Sequence, residues 1–474
     1  MIVCPNCGAN VKYSADKKKM FCEFCETEFD PNEFEDEVGG AETHEVSADQ
    51  VTQTEDDSME VTVYTCPQCG GELMSVDNNT AAAFCSFCGA STVLTSRLRK
   101  ERKPDYIIPF EITKEQCKEA YLKVVSKSKF APDDIKDKDC IESFRGIYMP
   151  YWSYNIIQKG PFFLKGNVSH KEGNYMVTNH YQLSGDVDAS YDGLSFDASS
   201  AFSDNISQKL GPFDVKKRID FNPSYMSGFY ADLADVSKDV YSDDAKSIAE
   251  NMSFNEANNQ FGGYSIEKNP NNNNSTFHSR ISKADATMFP VWFMSYRKGD
   301  RVSYATVNGL TGKVVADIPI DTKKYLKISG IIAAIIFVIL NFILTMTPIA
   351  VSVFSAFLMI VVIIINLSQR KEIEKRDAEV GDKGKLYVMK GRTEREKRSM
   401  SVMEASVIAI SVVLCILTFL VVQMEVVSDI PYYLLCVIDA VCFAFNFKYT
   451  LDNYNVLSTR KLPQFNREGG DDRA

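Results

Sequence analysis

The chain has 474 residues, of which 45% are hydrophobic and 24% are charged, so it has room for several domains and can bury a sizeable core. Its formal net charge of -11 disfavours a general nucleic-acid-binding protein, because such proteins carry clustered lysine and arginine residues. Much of the apolar content follows Ile328, so the sequence separates into a mixed first part and an apolar last part.

Eight of the thirteen cysteines come early in the chain, as four Cys-x-x-Cys pairs. The sequence runs from Met1 to the first pair at Cys4 without the apolar stretch of a secretory signal, so we expect the amino terminus to stay inside the cell. In a reducing compartment, closely spaced cysteines bind metal ions more often than they form disulfides. The pairs therefore predict metal sites.

The four pairs form two copies of one small unit, predicted as zinc ribbons at residues 1–29 and 63–95. Within each copy the two pairs are separated by 14 or 15 residues. Two pairs close a tetrahedral shell of four sulfurs, which leaves no open position for chemistry. We take Zn²⁺ as the ion, with iron in a rubredoxin-like site as the alternative. The ligands predicted for two structural zinc ions are Cys4, Cys7, Cys22, Cys25, Cys66, Cys69, Cys85 and Cys88.

An acidic segment separates the two ribbons. Residues 26–60 contain fourteen aspartate or glutamate residues and no lysine or arginine. Such a composition is typical of a disordered, extended tether, so we interpret residues 30–62 as a linker. The alternative is an acidic lure for a basic partner.

Residues 103–321 have the pattern of a mixed α/β domain. Thr113 and Gln116 form a capping box before a helix predicted at residues 114–127, and a second helix is expected within residues 235–257. The two tryptophans, Trp152 and Trp292, each follow a proline by two residues in strand-like surroundings. We interpret them as core anchors of two related strand units rather than as parts of a ligand pocket.

No catalytic motif stands out in this domain. The Thr311-Gly312-Lys313 segment lacks the serine or threonine and the first glycine of a phosphate-binding loop. The acidic residues Asp186, Asp188, Asp192 and Asp197 do not have the spacing of a calcium loop. We therefore assign no catalytic or cofactor-binding residue and no small-molecule substrate, and the sequence favours a protein that is not an enzyme.

The last part of the chain predicts a four-helix transmembrane anchor. Residues 328–367 contain no charge and are long enough for a hairpin of two spans that turns at Thr347-Pro348. A second hairpin is predicted at residues 405–447. The segment between them, residues 368–404, is strongly basic, and residues 448–474 form a tail. The positive-inside rule then places both termini and the basic loop in the cytoplasm, as expected for a multi-pass protein of the cytoplasmic (inner) membrane.

Asp439 lies in the middle of the last predicted span, where an ionised carboxylate is costly. We expect it to hydrogen-bond polar side chains of other spans, such as Asn341, Ser355 or Ser411. A proton or ion path is the sharper alternative.

Several segments together resemble a known bacterial family. They are the Cys-Pro-x-Cys-Gly knuckles, the Gly146-Ile147-Tyr148-Met149-Pro150-Tyr151-Trp152 segment, Tyr225-Met226-Ser227-Gly228-Phe229, and Phe289-Pro290-Val291-Trp292. The chain is similar in these segments to zinc-ribbon membrane proteins of the transcription-factor-IIB ribbon type, which are loosely labelled primosomal-helicase-like. The resemblance implies a cytoplasmic-membrane location and a link to phage-shock-type envelope stress. It implies no reaction, and the chain has no helicase motif.

These features favour a membrane-anchored adaptor or scaffold whose zinc ribbons recruit a cytosolic or membrane protein partner to the lipid bilayer. The alternatives are a membrane-associated enzyme with an unrecognised site in residues 103–321, a nucleic-acid-binding protein, and a transport-related membrane protein. Nucleic acid is disfavoured as a partner because the second ribbon has no lysine or arginine in residues 65–92.

Overall fold

Two β-sheets and a group of long helices make up the described parts of the chain. The computed structural model describes residues 2–34, 58–76, 84–92, 94–267, 276–343, 347–379, 402–424 and 428–463. Most of the predicted acidic linker, much of the predicted basic loop and the end of the tail lie outside these residues, so the interpretations of those segments remain predictions.

The secondary structure is dominated by strands up to residue 316 and by helices after it. The strands are β1 Lys12–Ser14, β2 Lys19–Phe21, β3 Glu28–Phe29, β4 Ser58–Thr65, β5 Glu72–Ser75, β6 Thr95–Arg102, β7 Tyr106–Ile107, β8 Arg145–Glu172, β9 Tyr175–Asp197, β10 Ile219–Asp220, β11 Tyr230–Asp232, β12 Ser265–Ile266, β13 Ser279–Lys298, β14 Arg301–Asn308, β15 Val314–Ala316 and β16 Arg460–Lys461. The α-helices are α1 Lys114–Val125, α2 Lys138–Glu142, α3 Asp204–Leu210, α4 Ser242–Gln260, α5 Thr322–Ile343, α6 Pro348–Glu379, α7 Val402–Gln423 and α8 Ile430–Leu457.

The first cysteine unit contains its own small antiparallel sheet, β1-β2-β3. The other thirteen strands of the described residues form one large sheet, whose longest path runs β10-β7-β13-β8-β11-β5-β4-β6. Strands β9 and β12 pair with β8, and β14 pairs with β13, β15 and β16. The second cysteine unit belongs to this sheet, because its β5 pairs with β11. Strand β4 begins at Ser58, inside the range predicted as linker.

The two proline-tryptophan segments pair with each other in the middle of the large sheet. Strands β8 and β13 are antiparallel, and Met149 lies opposite Phe289. Each tryptophan lies three residues after this pair on its own strand, with Trp152 opposite Ala286 and Trp292 opposite Gly146. The two segments are therefore related by a local twofold arrangement.

Both tryptophans are buried, and the indole N–H group of each forms a hydrogen bond. The indole Nε1 of Trp152 donates to the carbonyl of Val236 over 2.7 Å, and that of Trp292 donates to the carbonyl of Ile112 over 2.8 Å. A buried indole needs such a partner for its N–H. The interpretation of both residues as core anchors is confirmed.

The two helices predicted in this region are present with shifted ends. In α1 the Thr113 hydroxyl accepts from the backbone of Gln116, and the Gln116 side chain accepts from the backbone of Thr113, so the capping box is complete. Helix α1 ends at Val125, two residues before the expected end. The second helix is α4, which begins later and ends later than predicted.

Three helices in the described part of the chain are long and apolar enough to cross a membrane. They are Pro348–Glu374 within α6, Ala405–Gln423 within α7, and Ile430–Leu457, which is α8. These helices pack on one another, and their composition supports membrane association. The sequence predicted four spans, whereas the described residues contain three helices of this kind. The first predicted span falls on α5, which reaches only Ile343 before residues 344–346, outside the described part.

The helices and the large sheet are joined at two places. Beyond α8, strand β16 pairs with β14, with Arg460 opposite Val302. The Arg301 guanidinium donates to the carbonyl oxygens of Val456 and Thr459 over 2.9 and 2.8 Å. Before α5, strand β15 pairs with β14, and the backbone N–H of Asp321 donates to the carbonyl of Phe130 in the middle region over 2.8 Å. The start of α5 and the end of α8 are thus both fixed to the sheet.

Candidate metal centres

The eight predicted ligands converge in two groups of four. In the first group Cys4 Sγ lies 3.6 Å from Cys25 Sγ, and Cys7 Sγ lies 3.5 Å from Cys22 Sγ. In the second group the corresponding distances are 3.8 Å between Cys66 and Cys88 and 3.7 Å between Cys69 and Cys85. Within each group all four sulfurs lie within 4.8 Å of one another.

These distances fit a tetrahedral ion with four thiolate ligands. With Zn–S bonds of about 2.3 Å, the edge of a regular tetrahedron of sulfurs is about 3.8 Å. All the donors are thiolates, which suits Zn²⁺ and also iron. Each group can therefore hold one metal ion, and a fully sulfur-bound ion would order the surrounding loops rather than act on a substrate.

The same backbone turn occurs at all four cysteine pairs. The N–H of the residue after each pair donates to the carbonyl of the first cysteine, at 2.8–3.0 Å, and that residue has a positive φ. Glycine fills this position three times, at Gly8, Gly70 and Gly89. Glu26 adopts the same conformation with φ 57°, at a cost of roughly 1–2 kcal/mol relative to glycine. Glu26 in place of glycine therefore leaves the turn unchanged.

The two groups differ in their exposure to solvent. All four cysteines of the second group are buried, whereas in the first group Cys7 is exposed and Cys25 is half-buried. A hydrogen bond from the Thr27 hydroxyl, 3.2 Å from Cys25 Sγ, lowers the pKa of the Cys25 thiol to about 6. The first group is therefore the more accessible of the two to solvent.

The first cysteine unit is docked on a loop of the middle region. The backbone N–H of Tyr13 donates to the carbonyl of Ser227 over 3.1 Å, and the Ser227 hydroxyl donates to the carbonyl of Val11 over 2.7 Å. Gly228 lies against Lys12, where a Cβ would approach within 3.2 Å, and it has φ 86°. The Tyr-x-Ser-Gly-Phe segment found in the sequence is thus a binding platform for this unit.

The second cysteine unit is part of the core of the large sheet. Its four cysteines and Phe87 pack in one apolar cluster with Phe293 and Tyr304. The Tyr304 hydroxyl donates to the carbonyl of Phe87 over 2.8 Å, and Arg297 Nη1 donates to Gln68 Oε1 over 2.9 Å. The sequence predicted this unit as a separate zinc ribbon at residues 63–95, whereas the structure places its cysteines in the apolar core of the large sheet.

The other motifs considered for catalysis are not brought together. Thr311-Gly312-Lys313 forms the turn between β14 and β15, where Gly312 N–H donates to Asn308 O. All four acidic residues considered for calcium lie along β9, which ends at the last of them, Asp197. Among the described residues, the groups of three or more His, Cys, Asp or Glu placed for a metal are the two cysteine groups.

A polar network crosses the apolar helices. As expected, Asp439 meets Ser355, whose hydroxyl donates to Asp439 Oδ2 over 2.7 Å. The side chain of Asn341, another expected partner, lies outside the described part of the structure. Sequence reasoning missed a second set: Asn446 Nδ2 donates to Ser411 Oγ over 2.7 Å, and Asn366 Nδ2 donates to the carbonyl of Asn446 over 3.2 Å. The sequence does contain a sign of this second set, because Asn366 and Asn446 are polar residues within long apolar runs.

Comparison with known proteins finds a relative but no function. The uncharacterized protein YdjG of Bacillus subtilis (strain 168) is 26% identical over 316 residues, in an alignment covering 55% of this chain and 91% of YdjG. No family model matches the chain, and no solved structure matches it. The name of YdjG assigns no activity.

Proposed function

We propose that the protein is a membrane-anchored scaffold that holds two zinc ribbons at the membrane surface and recruits a protein partner there. The observation that carries this proposal is the docking of both cysteine units on a sheet that is itself bonded to membrane-length helices. A rigid connection of this kind presents a fixed surface at a fixed distance from the bilayer.

The connection between sheet and helices supports four membrane crossings. The chain leaves the sheet at β15, shortly before α5, and returns to it after α8 through β16, since both strands pair with β14. A chain that starts and ends on one side of a membrane crosses it an even number of times. The three membrane-length helices therefore need a fourth crossing, and α5, with its apolar sequence, supplies it.

The charge distribution supports an orientation with both termini in the cytoplasm. Residues 368–400, which follow the apolar part of α6 and precede α7, carry eleven lysine or arginine residues, and Lys323, Lys324 and Lys327 lie at the start of α5. Basic residues of this kind stay on the cytoplasmic side. The cysteine units would then lie in a reducing compartment, which keeps their thiols available for Zn²⁺. The resemblance to zinc-ribbon proteins of the cytoplasmic membrane agrees with this orientation.

The partner surface is best placed on the first cysteine unit. Phe24, inside the pair of Cys22 and Cys25, is 84% exposed although it is a large apolar side chain. Exposed aromatic residues on a rigid turn are favoured contacts in protein interfaces. The second unit has less free surface, since its cysteines are buried in the sheet core.

Affinity purification from detergent-solubilised membranes tests the proposal. We expect the Phe24→Ala variant to lose a partner that the wild type retains, while a matched variant of another exposed phenylalanine, Phe163→Ala on β8, keeps it. Carbonate extraction of the same membranes measures anchoring separately. A partner set unchanged by Phe24→Ala and by loss of the first metal, in Cys4→Ser with Cys7→Ser, would overturn the recruitment role.

A further inference from the structure

A cavity of about 460 Å³ lies where the large sheet meets the start of α5 and the end of α8. We propose that this cavity binds the phosphate headgroup of an anionic phospholipid and so fixes the sheet to the membrane surface. The proposal rests on the membrane anchoring proposed above, but it does not depend on zinc binding or on a protein partner.

Three cationic side chains from two parts of the fold line the cavity. Lys298 and Arg301 lie opposite each other at the turn of the β13–β14 hairpin, and Lys323 lies in the first turn of α5. Arg301 is held in place by its hydrogen bonds to Val456 and Thr459. Neither Lys298 nor Lys323 forms an ion pair with another described residue. Their ammonium groups are therefore available for an anion.

The acidic groups nearby do not cancel this charge. Asp321 also lines the cavity, but its Oδ1 accepts the backbone N–H groups of Lys323 and Lys324 over 2.9 and 3.2 Å and so caps α5. Asp133 is paired with Lys324 over 2.7 Å. Three positive side chains against one carboxylate leave the lining with a charge of +2. An anionic ligand is favoured.

The position of the cavity along the helices matches the depth of lipid phosphates. Lys323 precedes the first residue of the charge-free stretch, Ile328, by five positions, or about 8 Å at the helical rise of 1.5 Å per residue. The headgroup layer on each side of the hydrocarbon core is about 5–8 Å thick. Basic pockets at this level beside transmembrane helices are favoured sites for anionic headgroups.

Polar groups suited to a phosphate ester complete the lining. Ser303 on β14 contributes a hydroxyl group. The Thr459 hydroxyl donates to the carbonyl of Asn455, and Asn455 Nδ2 donates to the carbonyl of Ile320, so these two side chains hold the lining in place. The volume is many times the ~30 Å³ share of one water, so it can hold a phosphate with its glycerol. The same chemistry would accept free inorganic phosphate, which the experiment must distinguish from a lipid.

The test uses the full-length protein in nanodiscs and a fluorescent phosphatidylglycerol in a phosphatidylcholine background. We expect Lys298→Gln with Lys323→Gln to weaken phosphatidylglycerol binding about tenfold or more. The matched control is Lys327→Gln with Lys448→Gln, which removes the same charge near the ends of the spans from residues outside the cavity lining. This control should stay within about twofold of wild type.

Each outcome decides one question. Equal weakening in both double variants shows diffuse surface attraction and overturns the site, as does no weakening in the cavity variant. Displacement of the lipid by millimolar inorganic phosphate, without a preference for phosphatidylglycerol over phosphatidylcholine, assigns the cavity to free phosphate and overturns the lipid proposal. Extraction of the wild-type chain by carbonate overturns the anchoring itself and is measured before any lipid is added.

Discussion

The Ser355 hydroxyl donates a hydrogen bond to Asp439 Oδ2 over 2.7 Å and thereby joins α6 to α8. Asp439 is 2% exposed and lies in the middle of an apolar helix. A buried carboxyl group needs such a partner, because an unsatisfied polar atom among apolar helices is costly. The bond gives the helices a specific register that apolar packing alone leaves undefined.

This bond predicts unequal effects of two substitutions at one position. Asp439→Asn keeps an oxygen that accepts from Ser355 and should change the stability of the helical region little. Asp439→Ala removes the acceptor and should destabilise it by about 0.6–2 kcal/mol. Thermal unfolding in detergent measures both. A proton flux in proteoliposomes that is lost in Asp439→Asn would instead show that the carboxyl carries protons.

The two cysteine groups should release their metal at different rates. We expect about two zinc ions per chain by mass spectrometry, and a chelator should remove the ion of the first group faster because Cys7 is exposed and Cys25 is half-buried. The ion of the second group leaves only when the sheet core opens. Cys7→Ser and Cys69→Ser assign the two phases. Loss of the slow phase in Cys7→Ser would contradict the assignment.

The contact between the second unit and the sheet predicts that two tyrosine-to-phenylalanine substitutions reduce the stability of the sheet by different amounts. Tyr304→Phe removes the buried hydrogen bond to the Phe87 carbonyl and should destabilise the sheet by about 1–3 kcal/mol. Tyr296→Phe is the matched control, since its hydroxyl bonds Asp134 near the surface and should cost at most about 1 kcal/mol. Chemical denaturation compares them. Equal losses of stability in the two variants would show that the hydrogen bond to Phe87 contributes no more than an exposed one.

Docking of the first unit should weaken in acid. Glu111 pairs with Lys217 over 2.8 Å and with Lys18 of the first unit over 3.0 Å. The hydrogen bond from Lys217, followed by that from Lys18, holds the pKa of the Glu111 carboxyl below its usual value. Because the folded pKa is depressed, its stabilisation is present above the unfolded pKa and is lost as the pH falls through the folded one.

Protease sensitivity of the first unit, measured from neutral pH down to about pH 3, below the ordinary pKa of glutamate, checks this expectation. Glu111→Gln should weaken the docking of the first unit by at most about 1 kcal/mol at neutral pH, which raises its protease sensitivity there. It should also reduce the dependence of the sensitivity on pH. Glu115→Gln, which alters an exposed pair with Lys118, is the control and should behave like wild type. An unchanged pH profile in Glu111→Gln would leave zinc release alone as the cause of acid sensitivity.

The features that the sequence predicted well depend on neighbours along the chain. The spacing of each Cys-x-x-Cys pair determines its turn, and the cap of α1 needs only Thr113 and Gln116, which are close in sequence and require no distant contact. This is why the cysteine groups and the start of α1 were found. The Asp439 contact was predicted because a carboxyl group in an apolar span has few polar partners to choose from.

The features that the sequence did not predict depend on distant pairing. Met74 of the second unit lies opposite Ala231, and Val302 lies opposite Arg460, across separations that no local hydrophobic pattern encodes. The docking of the first unit on Ser227 likewise rests on backbone hydrogen bonds. For this reason the ribbons were interpreted as separate modules, and the closure of the sheet by the end of the chain was not foreseen.

The pairing of β16 with β14 sets an order of events during synthesis. Strand β14 is complete at Asn308, but the residues that close its edge at Arg301 are made only after all four long helices. All the long helices must therefore be synthesised before this edge can be covered. A chain truncated within α8 would lack β16 and leave this edge of β14 open, so completion of the sheet depends on synthesis of the last helix.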